Sequence, residues 1–471
     1  MVAQTRTAAQ TLAEFAAANR HGVGPDLSAD VVGRLLDTAG NCIAASALDD
    51  PNEPHNAILR IMEARGGVGE ASTFNGSGLL PAPSAALVNG TLAHTLDFDD
   101  THLPSVLHPS SSIVPAALAV AQTSTSSGAE LIAAIAVGIE ITNRIGMAGY
   151  VPALRNSTFF ARGLHATSIC GTLGAAAAAA MLMGLDATGI CDAMAIAASM
   201  GAGIIEANRT GGSVKRIHCG WAAHAGIDAA LFAANGVTGP PTVFEGTFGF
   251  LQAYLGTDYD VNALLDGLGD RWELERTVYK PYPSNHFTHP IVDCALALRA
   301  QGLDVDAIAS VDVGVAATVI RTIGEPREEK VRPRTPYHAK FSGPYVLASA
   351  LLGGGGLGIY LDDFTDQALS DPARLALAEK VTIVPDAICD DEFPNAFSAL
   401  VTVTMKDGRQ VSHRTHSSRG GPEHPLSTDE LQTKFTLNAT QRISADQAAD
   451  LASAIRTLPS AASVGDLINI V

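Results

Sequence analysis

Charge and aromatic side chains are both scarce in this sequence. Only 17% of its 471 residues are Asp, Glu, Lys or Arg, and 5% are Phe, Trp or Tyr. The 30 basic residues are outnumbered by 48 acidic ones, for a formal charge of −18. Binding to a phosphate backbone depends on clustered cations, so nucleic acid is not an expected partner. Six cysteines, Cys42, Cys170, Cys191, Cys219, Cys294 and Cys389, stand singly with no CxxC pair. That spacing suggests neither a zinc knuckle nor a disulfide framework, and it fits a reducing cytoplasm. The opening stretch MVAQTRTAAQTLAEF lacks the apolar core and cleavage site of a secretory signal, so a cytoplasmic location is expected. Also missing are a GxSxG elbow, a strand followed by GxGxxG, and HExxH spacing among the histidines. Serine-hydrolase, dinucleotide and zinc-peptidase chemistry are therefore unsupported, and no metal is expected.

What the chain does have is apolar bulk: 47% hydrophobic residues and 45 glycines, a composition that packs rather than staying disordered. Its length predicts two domains. From about Thr7 to Leu265 apolar residues recur at helical spacing, as in TAAQTLAEFAAA, in SADVVGRLLDTAGNCIAAS with Ser28 as N-cap, and in SAALVNGTLAHTLDF. Two very apolar runs, Gly171 to Leu185 and Cys191 to Ile205, are shorter than the roughly 20 residues a membrane span needs, and Asp186 and Asp192 interrupt them. They are expected to be buried core helices, with no membrane partner. After Trp272 the pattern shifts to strands: Ala309 to Ala317, Lys380 to Asp386, and a hairpin turning at Asp407-Gly408. From Ser427 helices return, each opened by a Ser with an acid or Gln three residues on, the spacing of a capping box. The expected fold is mainly α. A large all-helical domain is expected from both chain ends, residues 1–268 and 420–471, around a smaller inserted α+β domain at 269–419.

Polar residues gather in four islands. The first, HTLDFDDTHLPSVLHPSSS from His94 to Ser112, holds three aspartates and three histidines. A helix ending between Leu92 and Phe98 would leave Asp97, Thr101 and His108 free to converge. A simpler role for Asp99, Asp100 and Thr101 is to cap the next helix, the commonest use of such clusters. RGLHATSICGT places His165 before a helix, GGSVKRIHCGWAAHAG supplies Lys215, Arg216 and His218, and YKPYPSNHFTHP supplies Lys280, His286 and His289. Histidines, lysines and acids concentrated on loops of a charge-poor scaffold point to acid–base work on an anionic substrate.

These islands resemble those of the MmgE/PrpD family. The resemblance rests on HTLDFDDTH with HPSSSIVPAALA, GIEITNRIG, LHATSICGTLGAAAAAA, VKRIHCGWAAHAG, GPPTVFEGTFGF, KPYPSNHFTHPIVDCAL and TPYHAKFSGPYVLASAL. It implies a homodimeric enzyme whose smaller inserted α+β domain is a lid, without metal or organic cofactor, a lyase of dehydratase or decarboxylase type acting on a small di- or tricarboxylate such as 2-methylcitrate or cis-aconitate. An epimerase of an iminodisuccinate-like dicarboxylate is the alternative, and a helical scaffold the non-enzymatic one. Carried over by motif, the resemblance implies four catalytic residues: His108 to handle the proton, His165 to orient or bind and as the rival for that proton, and Asp97 and Thr101 to hydrogen-bond around them. It implies Lys215 and Lys280 as carboxylate binders. The decarboxylase-type pattern has a histidine five residues past the second lysine. Here Asn285 stands there and His286 follows, so His286 is expected to take its substrate-binding place.

Overall fold

The computed structural model describes residues 6–152, 156–207 and 212–464. The chain divides into two compact units, one comprising the residues up to Thr277 together with those from Phe435 onward, the other Val278–Lys434.

The first unit is a stack of helices. Ala166–Leu182 is buried along its whole length and packs against Gly128–Ala148 and His218–Ala234. Its unbroken Ala175 to Ala180 run keeps neighbouring backbones close. His218–Ala234 packs in turn on Ala82–Thr95, where a Cβ added at Gly220 would lie 2.2 Å from the Leu87 carbonyl oxygen. Only glycine permits that crossing. Gly128–Ala148 has the length and apolarity of a membrane span, but 94% of its most apolar window is buried inside the protein, as in a core helix. The first helix, Ala8–Ala18, is closed by a capping box between Thr7 and Gln10.

Two sequence expectations need correction here. Ser28 is not an N-cap: it lies inside the helix Pro25–Ser46, whose N-cap is Gly24. Pro25 fixes the start, because its preset φ suits the first helical position and its missing N–H is no loss there. The run from Cys191 to Ile205 is not one helix either. The helix is Ala187–Ala197, opened by the Asp186 carboxylate accepting from the Gly189 N–H, and Gly203 beyond it adopts φ 147°.

The second unit is built on a four-stranded sheet in the order Gln410–Thr415, Ala399–Met405, Ile308–Val315, Val381–Pro385. The first two strands form the antiparallel hairpin expected at Asp407-Gly408, with Gly408 at φ 85° and the Met405 N–H bonded to the Arg409 carbonyl. Val381–Pro385 pairs parallel to Ile308–Val315, which requires a crossover. The intervening residues 316–380 supply it. Alternate residues of Ala399–Met405 are buried. Val311, Val313, Val401 and Val403 form a core with Ile291, Val292, Tyr345 and Leu347 from the helices His289–Ala300 and Gly343–Leu351.

The closing helices, Thr428–Ala439 and Ala445–Thr457, begin with the expected capping boxes, Ser427 with Glu430 and Ser444 with Gln447. Asn438 belongs to the first unit, where its amide donates to Asn41 Oδ1 at 2.9 Å.

Candidate active site

The first unit gathers a row of histidines around the loop that follows Ala82–Thr95. That helix ends at Leu96, and Asp97 reverses the chain in the left-handed region at φ 55°. Among non-glycine residues, Asp is one of the few that tolerate this conformation. The reversal separates the two acids that follow. Asp100 caps the helix Ser110–Thr123: its carboxylate accepts from the Ser110 N–H at 3.2 Å and from the Ser110 hydroxyl. It also pairs with Arg34 at 2.8 Å, both side chains being 1% exposed. The simpler capping role therefore describes Asp100. Asp99 is used differently. One of its oxygens accepts from His94 Nδ1 at 2.7 Å and from the Ser111 hydroxyl at 2.6 Å, and lies 3.9 Å from His108 Nδ1.

His108 is held by its Nδ1, 2.7 Å from the Asp100 carbonyl oxygen and 3.3 Å from Thr101 Oγ1. A carbonyl oxygen can only accept, so Nδ1 carries hydrogen, and a proton gained or lost by the ring is exchanged at Nε2. The His108 backbone N–H donates to Thr167 Oγ1 at 3.2 Å. His165 precedes the helix Ala166–Leu182 as its N-cap, and its N–H donates to the Gly203 carbonyl at 3.0 Å. The His94 ring lies 5.2 Å from His108 and 5.9 Å from His165, centroid to centroid. His165 in turn meets His218, with 2.9 Å between their Nδ1 atoms. Four imidazoles thus run in the order His108, His94, His165, His218.

Burial, reinforced by the Lys215 ammonium and the neighbouring imidazoles, holds His165 well below the ordinary histidine range. Burial, then His94 and Lys215, lowers His218 to about 4. Both rings are uncharged near neutral pH. Lys215 sits on a short turn, Val214–Ile217, with its Nζ 3.7 Å from Asp97 Oδ1.

Of the seven residues singled out from sequence, Asp97, Thr101, His108, His165 and Lys215 therefore belong to one connected cluster. Lys280 and His286 lie in the second unit. Lys280 is buried there. His286 stacks on His289 at 4.4 Å, meets Phe397 edge-on, and has Nε2 3.3 Å from Ser418 Oγ. Asn285 has a structural task, its side chain accepting from the Phe287 N–H to open the turn His286–Thr288. Sequence reasoning passed over His94, Asp99 and His218 as site residues. The available signal was their placement inside the same two motifs as Asp97 and Lys215.

One group among the described residues has metal-ligand composition: His94, Asp99 and Cys219, with ligand atoms within 4.8 Å of one another. Two zinc ligands at about 2.0 Å in tetrahedral geometry stand roughly 3.3 Å apart. His94 Nδ1 and Asp99 Oδ2 are at 2.7 Å, bonded directly to each other. Burial and the Asp99 charge also push the Cys219 thiol far up, away from the thiolate a metal requires. The arrangement orients an imidazole and does not fit a metal centre.

Two family models match, the MmgE/PrpD N-terminal domain over residues 10–262 and the MmgE/PrpD C-terminal domain over residues 282–459. The chain is 31% identical to the cis-aconitate decarboxylase of Homo sapiens over 387 residues, covering 80% of this chain and 77% of that protein. It is 29% identical to the cis-aconitate decarboxylase of Mus musculus, over 80% and 76% of the two chains. With that of Aspergillus terreus the identity is 27%, over 75% and 73%. With both halves matched in order and a relative above 30% identity across most of its length, the chain belongs to the MmgE/PrpD family.

Proposed function

We propose that this protein is a lyase that decarboxylates a small polycarboxylate, with cis-aconitate the first candidate, and that His108 delivers the proton. The observation that carries this reading is the histidine row itself. One imidazole, His108, is fixed by an Nδ1–H bond to the Asp100 carbonyl, which assigns proton exchange to Nε2, while His165 and His218 are kept uncharged by burial. The relatives' names supply the substrate class.

Decarboxylation leaves the bonding electron pair on the substrate as CO2 departs, shared in cis-aconitate with the neighbouring double bond, and one carbon of that allylic carbanion must then receive a proton. A protonated His108 gives up the hydrogen on Nε2 and becomes the neutral Nδ1–H tautomer that the Asp100 carbonyl and Thr101 hydroxyl already select. The buried Asp99 carboxylate, 3.9 Å from the ring, supports the positive charge before transfer. Lys215 provides a compact cation for a substrate carboxylate, with Asp97 holding the ammonium in place. Thr101 keeps the His108 ring oriented.

The test is incubation with 2-methylcitrate, citrate, cis-aconitate and iminodisuccinate, followed by proton NMR in deuterated water. Loss of CO2 from cis-aconitate supports the reading. New alkene signals from citrate or 2-methylcitrate without CO2 would make the enzyme a dehydratase, and solvent exchange with no group lost would make it an epimerase.

A further inference from the structure

We propose that His218 is a positioning residue: it donates its Nδ1–H to His165 Nδ1, and so forces His165 to present Nε2–H to the substrate. The two Nδ1 atoms lie 2.9 Å apart. A hydrogen bond at that distance holds one hydrogen, so one nitrogen donates and the other is a bare acceptor. Both rings are buried and uncharged. Each therefore has a single N–H, and the two must be opposite tautomers. One ring is Nδ1–H with a bare Nε2, the other Nε2–H with a bare Nδ1.

The backbone pins this pairing in place. The Ser168 hydroxyl, in the first turn of the helix that His165 caps, donates to the His218 carbonyl at 3.0 Å. The Gly203 carbonyl accepts the His165 N–H. A Cβ at Gly203 would stand 3.2 Å from His165 Cβ and 3.5 Å from His218 Nδ1, so the glycine lets the backbone there pass close behind both rings. With Nδ1 engaged, His165 meets a ligand only through Nε2.

The choice between the two tautomer patterns follows from the substrate's charge, and here the inference rests on the polycarboxylate reading above. A bare Nε2 would point a lone pair at a carboxylate and repel it, whereas Nε2–H donates a hydrogen bond. His165 is then the Nε2–H ring and His218 the Nδ1–H ring. Because His218 acts through His165, its identity matters as a hydrogen-bond donor and not as a base.

The experiment has two readouts. In protein labelled with 15N-histidine, long-range proton–nitrogen correlation spectra at pH 7 report the tautomer of each ring, with assignments from His165→Gln and His218→Asn. His165 as Nε2–H with His218 as Nδ1–H is the expected result. The reversed pattern, or both rings as Nε2–H, overturns the proposal. The second readout compares two variants of nearly equal size. The amide of His218→Asn can still donate to His165 Nδ1, and kcat/KM on cis-aconitate is expected to stay within about tenfold of the wild type. The carboxylate of His218→Asp can only accept, so it turns His165 to the Nδ1–H form, with an expected loss on the order of 100-fold. A purely structural role would treat the two alike, and equal activities overturn the proposal. If the wild-type protein consumes no carboxylate, the function reading fails while the tautomer pattern is still decided by the spectra.

Discussion

Arg34→Met is the substitution that most sharply tests how the loop carrying Thr101 and His108 is held. The guanidinium donates to Asp30, to Asp100 and to the carbonyl oxygens of Leu274 and Thr277. Burial raises the Asp100 carboxyl even with Arg34 beside it. Removing the cation leaves a buried carboxylate without its countercharge, a change that typically costs about 3–5 kcal/mol. For a unit this large, roughly 2 °C of melting temperature accompanies each kcal/mol, so Tm should fall by about 6–10 °C at pH 8. The sign of the pH dependence is fixed. In the variant the folded-state pKa of Asp100 rises further above its unfolded value near 3.9, so the folded chain holds the proton more tightly. Stability is then fully present at low pH and lost as pH rises through the folded pKa. The gap between wild type and variant should widen between pH 5 and pH 8 in differential scanning calorimetry. Asp100→Asn added to Arg34→Met should flatten it. A gap under 2 °C, or one of the same size at both pH values, would refute the reasoning.

Other outcomes follow from single contacts. Gly220→Ala places a Cβ 2.2 Å from the Leu87 carbonyl and 2.5 Å from Thr91 Oγ1, and is expected to destabilise by about 1–3 kcal/mol in urea titration. His55 and His218 are both lowered to about 4, chiefly by burial. Between pH 6.5 and 4 the unfolded chain binds protons that the folded chain refuses, so stability falls as pH drops through that window, by up to roughly 3 kcal/mol per group. His55→Leu should remove part of that slope.

The features legible in the sequence were those written in local chemistry. Ser427 and Ser444 announce helix starts, Asp407-Gly408 announces a hairpin, and the run of small residues after His165 announces a helix. Ser28 failed because a proline three residues earlier fixes the start more firmly. The run from Cys191 to Ile205 failed because apolar content does not reveal where a helix stops: this one ends at Ala197, ahead of the glycines at 201 and 203. The roles of Asp99 and Asp100 were unreadable for another reason. They are adjacent in sequence, and only the left-handed turn at Asp97 sends one to His94 and the other to Arg34. The pairing of His165 with His218 spans 53 positions and depends on two helices meeting, which no local pattern encodes.

His108 is proposed to deliver the proton that quenches the carbanion left by loss of CO2. The most direct measurement is CO2 release from cis-aconitate in deuterated water by the wild-type protein and by His108→Ala, with the product examined by NMR. The wild type is expected to release CO2 and to leave one deuterium fixed in its product. In His108→Ala, kcat should fall by roughly 100-fold or more while the protein stays folded. A wild-type protein that releases no CO2, or a His108→Ala variant that keeps the wild-type kcat, would contradict it.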